Sequence, residues 1–298
     1  MEVSVVGSIA LDTVETPTGR NEEGLGGAAT YFSLAAAQFA TVRLVGVVGD
    51  DFPAEHVELL RSKGIDLEGL ERAAGKTFRW AGRYHEDINN RDTLDTQLNV
   101  FEHFHPKLPP AACTAPFLFL GNIHPSLQTE VLEQAKAAFV GLDTMNLWIN
   151  IALDDLKAVL RRVNVIIIND SEVKLLTGES NLVKGAKAVR ALGPRIVVVK
   201  KGEHGCLLFG EDDIFSAPAY PLEDVVDPTG AGDSFAGGFM GYLAGCGKVD
   251  SASLRQAVVY GSAVASFTCE KFGPDRLAEI TRHDIQQRFE EFRQLAAF

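Results

Sequence analysis

Short apolar runs alternate along the chain with longer segments in which apolar residues recur every third or fourth position. The runs "VSVVGSIA", "VRLVGVVG", "FLFLGNIH", "FVGLDTMN", "VNVIIIND" and "RIVVVKKG" are rich in β-branched residues and pass into Gly, Asn or Asp. Strands buried on both faces have this character. The segments "AATYFSLAAAQFA", "AEHVELLRSKG", "LQTEVLEQAKAA", "LDDLKAVLRRV" and "VKGAKAVRALG" carry the helical period. Such alternation predicts an α/β fold with a mostly parallel central sheet flanked by helices. No repeat, low-complexity tract or linker interrupts it, so residues 1–298 read as a single domain.

One region breaks the rhythm. Residues 76–105, "KTFRWAGRYHEDINNRDTLDTQLNVFEHFH", are polar, aromatic and partly alternating, with no long helical stripe. They predict exposed strands outside the main sheet, with residues 11–25 as pairing partner. Together these segments would form a small β-sheet lid over the carboxyl ends of the main strands, where ligands of open α/β sheets bind. The exposed lid edges would also invite pairing into a homodimer.

Composition narrows the function. The 298 residues are 46% hydrophobic, enough for a large core. A net charge of −12 argues against a nucleic-acid partner, and an anionic small molecule would need a locally positive site. Cys113, Cys206, Cys246 and Cys269 are scattered, without metal-ligand spacing, and read as reduced thiols of a cytoplasmic protein. No stretch has the length of a membrane span, and the N-terminus lacks the basic start of a signal peptide.

The strongest chemical signal is "DVVDPTGAGDSFAGGFMGYLAG", Asp224 to Gly245. After Asp233, the residues Phe235, Phe239 and Leu243 mark one face of a helix, so residues 229–232 form the turn entering it. A helix start offers unpaired N–H groups and partial positive charge, and Gly230 and Gly232 let a phosphate approach the backbone closely. Asp233 then stands at the mouth of an anion site, the position of a general base for a hydroxyl attacking phosphorus. Gly230, Ala231 and Gly232 would stabilise the phosphoryl group in flight. The plainer alternative is an N-cap, with Gly237, Gly238 and Gly241 serving only tight helix packing. "GLERAAGKT" and "GYLAGCGKV" do not have the spacing or the final residue of a phosphate-binding P-loop.

Taken together, these motifs identify the chain as resembling the ribokinase-like carbohydrate kinases of the PfkB family. "DPTGAGDSFAGGF" is similar to the family's C-terminal signature, and other landmarks follow in family order over nearly the whole chain. "GSIALD" ends in Asp12, which resembles the sugar-binding aspartate. "GLGGAATYF" supplies Gly26 and Gly27, the glycine pair lining the sugar site, and "NDSE" matches the NxxE motif with Asn169 and Glu172. "KKGEHG", with Lys200, Gly202 and Gly205, is similar to the loop beside the nucleotide, and Gly273 lies in the segment near the adenine.

The resemblance implies ATP and Mg²⁺ as cofactors, with Glu172 and Asn169 acting on Mg²⁺ through water. It also implies K⁺ at a monovalent-cation site with Asp227 and Thr229. Two departures stand out. Tyr31 occupies the position where many sugar kinases carry an asparagine, and "GLDTMN" has its asparagine shifted to Asn146 and no arginine.

Other candidates carry two readings each. Asn169 and Glu172 also have capping-box spacing. Asn122 and His124 either shape a loop or point into a substrate cleft. Lys200 and Lys201 neutralise phosphate or face solvent. Phe78, Trp80, Tyr84 and Phe101 either pack the two sheets together or stack on a substrate ring. His103 and His105 read as surface residues.

The expected activity is transfer of the ATP γ-phosphate to a primary hydroxyl of a sugar. Asp12, Gly26, Gly27, Tyr31 and Asn122 would hold the acceptor, and lid closure would exclude water. A nucleoside kinase of the same family is the alternative, motivated by Tyr31, the missing arginine and the aromatic lid. A non-catalytic sugar- or nucleotide-binding regulator is the alternative of another class.

Overall fold

A computed structural model describes residues 1–211 and 213–297. Among them are thirteen strands: β1 (Glu2–Val6), β2 (Ala10–Thr16), β3 (Gly19–Gly26), β4 (Thr41–Val48), β5 (Asp66–Arg72), β6 (Phe78–Tyr84), β7 (Arg91–Gln97), β8 (Phe117–Leu120), β9 (Phe139–Leu142), β10 (Val165–Asn169), β11 (Ile196–Lys200), β12 (Cys206–Phe209) and β13 (Ile214–Ala217). They form a nine-stranded sheet in the order β13-β12-β11-β10-β9-β8-β1-β4-β5 and a four-stranded sheet in the order β3-β2-β6-β7.

The large sheet is parallel from β11 to β5, and only β12 runs against the other strands, antiparallel to both β11 and β13. Its strands read as continuous apolar runs because helices cover both faces. In β10, Val165 and Ile167 pack into one core, and Ile166 and Ile168 into the other. The first core lies against the helices Ala28–Ala36, Ala231–Cys246 and Ser251–Thr268. The second lies against helices that include Leu153–Leu160 and Leu182–Ala191.

The expected α/β architecture is present, with corrections of detail. "VSVVGSIA" is not one strand: β1 stops at Val6, and Ala10 begins β2 in the other sheet. Three main-sheet strands lie outside the runs that predict strand: β5 is half polar, β13 is partly exposed, and β12, though apolar, is only four residues long. The small sheet joins the two segments assigned to the lid, with β2 parallel to β6. Residues 99–103 of the second segment form a 3-10 turn instead of strand.

The lid is anchored at both ends. Thr77 donates from its backbone and its hydroxyl to Asp51, each at 2.7 Å, and Arg79 pairs with the same carboxylate at 2.8 Å. Beyond β2, the hydroxyls of Thr16 and Thr18 donate to the Val226 carbonyl at 2.9 and 3.1 Å. That second anchor ties the lid to the loop leading into the glycine turn.

Candidate active site

The carboxyl ends of the parallel strands border a cleft of about 780 Å³. The last residues of β10 and β11 are the paired Asn169 and Lys200, and both line it. Asp143 and Asn122 follow β9 and β8 into the same space. The 16-residue helix Ala231–Cys246 points its N-terminus into it.

Gly230 precedes that helix with φ 75°, the left-handed region that glycine tolerates, and a side chain here would enter the ring of Tyr31. A Cβ on Gly232 would come within 2.8 Å of Lys200 Nζ. The turn is therefore a bare cradle facing a lysine. The packing role is realised in the same helix: side chains at Gly237 or Gly241 would strike the backbone of the Ala28–Ala36 helix.

Asp233 sits half-buried in the first turn. Burial, then repulsion from Asp143, pushes its carboxyl up to about 7, against the attraction of Lys200 and Arg91. Glu172 is also raised to about 7, by burial and then by Asp143. Asp12 reaches about 7 through burial, opposed by the Gly27 N–H and reinforced by Asp227 and Asp233. Burial opposes the charge on Lys200, yet Asp143, Glu172 and Asp233 raise its pKa; Asp143 Oδ1 lies 3.9 Å away. Carboxylates thus crowd a site whose residents hold too few cations to neutralise them.

The structure resolves several double readings. Asn169 and Glu172 do form a capping box: Glu172 N–H donates to Asn169 Oδ1 at 2.8 Å, and Asn169 N–H donates to Glu172 Oε2 at 2.9 Å. Both residues also line the cleft, and no hydrogen bond engages Glu172 Oε1 among the described residues. His124 caps the helix Pro125–Gln134, accepting from Ser126 N–H at 3.2 Å. Asn122 lines the cleft, its Oδ1 held at 2.8 Å by Trp148 Nε1. Phe78 and Phe101 pack together, ring centroids 5.3 Å apart.

Gly202 and Gly205 line the cleft, whereas Asp12, Gly26, Gly27, Tyr31, Asp227, Thr229 and Gly273 do not. Tyr31, expected against the acceptor, is 2% exposed and supports Gly230 from beneath. Asp227 is a staple: its carboxylate accepts Thr229 N–H at 2.8 Å and Gly273 N–H at 3.0 Å. Thr229 Oγ1 meets the Tyr84 hydroxyl at 3.3 Å, joining the glycine loop to the lid.

Sequence reasoning missed Asp143, which ends an apolar run and could have been found by that position. It also missed Arg91, one polar residue among many in the lid.

A model described as "pfkB family carbohydrate kinase" matches residues 2–280. This chain belongs to the PfkB family of carbohydrate kinases. It is 31% identical over 253 residues to a cytidine kinase of Thermococcus kodakarensis, covering 82% of this chain and 90% of that protein. It is 29% identical over 282 residues to a nucleoside kinase of Methanothermobacter thermautotrophicus, covering 89% and 86%. Ribokinase of Cryptococcus neoformans in complex with ADP superposes with a TM-score of 0.79 at 20% identity, over 96% of this chain and 99% of that one. The fold is therefore ribokinase-like, and the chain is a phosphotransferase with an alcohol group as acceptor.

The cleft's donors suit a nucleotide with Mg²⁺. Thr144 Oγ1 is buried in its wall without a hydrogen-bond partner, and the glycine turn is open where a phosphate would sit. Among the described residues no cluster of His, Cys, Asp or Glu is built to grip a metal alone.

Proposed function

We propose that this kinase transfers the γ-phosphate of ATP to the primary hydroxyl of a nucleoside, with Asp233 as general base and residues 230–232 as anion hole. The observation that carries the reading is Asp233 itself: a carboxyl near 7 in the first turn of a long helix, beside an open glycine cradle. A base with that affinity takes a hydroxyl proton at neutral pH without being permanently protonated. As the acceptor oxygen bonds to the γ-phosphorus, the bond to ADP breaks, and the backbone N–H groups meet the phosphoryl oxygens.

Lys200, Gly202 and Gly205 border the nucleotide, with Gly273 holding the wall behind it through Asp227. Glu172 and Asn169 would hold Mg²⁺ through water, and the ion would supply neutralisation of phosphate charge. Asp227 and Thr229 are proposed to border a K⁺ site; unchanged turnover when K⁺ is replaced by choline would end that part.

A nucleoside acceptor is supported by two things. Two relatives that align over most of the chain are named as a cytidine kinase and a nucleoside kinase. On the lid, Trp80 is paired with Asp12 across β2 and β6, and its indole lies flat over Gly82, where any side chain would enter the ring. That is a rigid aromatic panel beside the proposed hydroxyl-binding aspartate. A free sugar is the second reading, supported by the family's description. Release of ADP across ribonucleosides, free sugars and inositols decides between them: turnover confined to free sugars removes the nucleoside reading.

A further inference from the structure

Two cations line the cleft, Lys200 and Arg91, against Asp143, Glu172, Glu203 and Asp233. Lys200 comes from the large sheet and is committed to Asp143. Arg91 comes from the lid. It opens β7, in register with the buried Tyr84 of β6, which places it on the inner face of the small sheet. Among the described residues no carboxylate lies within ion-pair distance of its guanidinium; its near neighbour is the Trp80 ring, 5.5 Å from Cζ. Its charge nevertheless acts on Asp12, Glu172 and Asp233, three carboxyls contributed by different elements.

The turn carrying Arg91 is latched to the other side of the cleft. Asn89 Nδ2 donates to Glu203 Oε2 at 2.8 Å, and a side chain on Gly202 would collide with Asn89. Within the turn, Asn90 bonds Asp87 at 2.6 Å and His85 bonds Asp92 at 2.8 Å. Among the described residues the guanidinium is thus a cation without a carboxylate partner, held over the cleft by the latched turn.

We propose that Arg91 is a catalytic residue, a lid-borne clamp on the transferring phosphoryl group. The inference rests on the kinase chemistry assigned above. Arginine stays charged at any working pH and offers a planar fork of donors matched to phosphoryl oxygens. In the transfer the acceptor oxygen–phosphorus bond forms, the bond to the ADP oxygen breaks and the proton goes to Asp233; Arg91 is unchanged and only stabilises charge. Because the lid carries it, full stabilisation is assembled only when the lid is closed over the acceptor. That arrangement disfavours transfer to water, since an open site lacks one of its two cations.

The test compares native protein, Arg91→Ala, Arg91→Lys and Asp233→Asn by two readouts. One is affinity for MgADP with cytidine, with and without aluminium fluoride, which mimics the phosphoryl group in flight. The other is kcat on whichever acceptor the native protein turns over. Arg91→Ala should bind MgADP within about threefold of native yet lose roughly a hundredfold or more in both the aluminium fluoride effect and kcat. Arg91→Lys should fall between, since it keeps charge and loses the fork. Matching melting temperatures exclude misfolding.

Equal weakening with and without aluminium fluoride would make Arg91 a nucleotide-binding or structural residue and overturn the proposal, as would unchanged kcat. Asp233→Asn separates the two assignments. It should lose turnover while keeping the aluminium fluoride effect; native-like turnover in that variant would remove Asp233 as base and leave the Arg91 result standing.

Discussion

Along β10 no residue except the last reaches the surface, whereas along β7 every residue does. The first strand is fixed by two cores, one on each side. The second is held by its ladder to β6, while the neighbouring strands are braced by surface ion pairs such as Arg83–Glu15 at 3.0 Å. Apolar burial is worth kilocalories per side chain, and exposed ion pairs are worth little. The difference separates two duties. The large sheet holds Lys200, Asp143 and the glycine turn in place without adjustment. The small sheet, rooted in the core through Leu11 and Leu25 and tied by a few hydrogen bonds, carries Trp80 and Arg91.

The comparison breaks most directly at the base. Asp233→Asn should lower kcat by roughly a thousandfold with the fold intact, measured as ADP release beside a thermal melt. A loss below tenfold would show that the body does not supply the base.

Stability should then divide between the sheets. Ile167→Ala, in the fully buried strand, should cost about 2–5 kcal/mol in denaturant unfolding, and Leu94→Ala, exposed on β7, within about 0.5 kcal/mol. Similar losses at the two sites would mean that the lid folds as part of the same core.

Trp80→Ala sharpens the lid's half. Loss of one stacking surface should raise the acceptor KM about tenfold while leaving the KM for ATP near native. A change in the ATP constant alone would move Trp80 out of the acceptor site.

The smallest effects are in pH. Asp233 works as a base only when deprotonated, so kcat/KM should rise as pH climbs through about 7. Stability runs the other way for this group. Its folded pKa lies above the unfolded value of 3.8, so the folded protein holds the proton more tightly, and the contribution present below about pH 4 is lost as pH approaches 7. Asp233→Asn should therefore gain stability relative to native across that window, measured by urea unfolding at each pH. A constant difference from pH 4 to pH 7 would show that burial does not raise this carboxyl.

The body was largely legible in the sequence because its physics is local and repetitive. A buried strand must be apolar at every position, and a helix start with bare glycines declares itself in a few adjacent residues. β5 escaped because its residues, "DLEGLER", are half polar at the sheet's edge. The lid was legible only as a departure from rhythm, and its exposed residues are not constrained in kind. Nothing in "NNRD" distinguishes Arg91 from a solvated surface charge.

Most buried strands of the large sheet, the glycine cradle and the aspartate beside it follow from the sequence itself, since each depends on neighbours within a few positions. Tertiary structure alone decided that Tyr31 supports Gly230 from below, that Asp227 staples two distant backbone segments, and that burial lifts Asp12, Glu172 and Asp233 each to about 7, with Asp143 adding to the last two. Those outcomes depend on burial and on charges brought together from remote parts of the chain, and the Coulomb energy between two groups follows their distance in space.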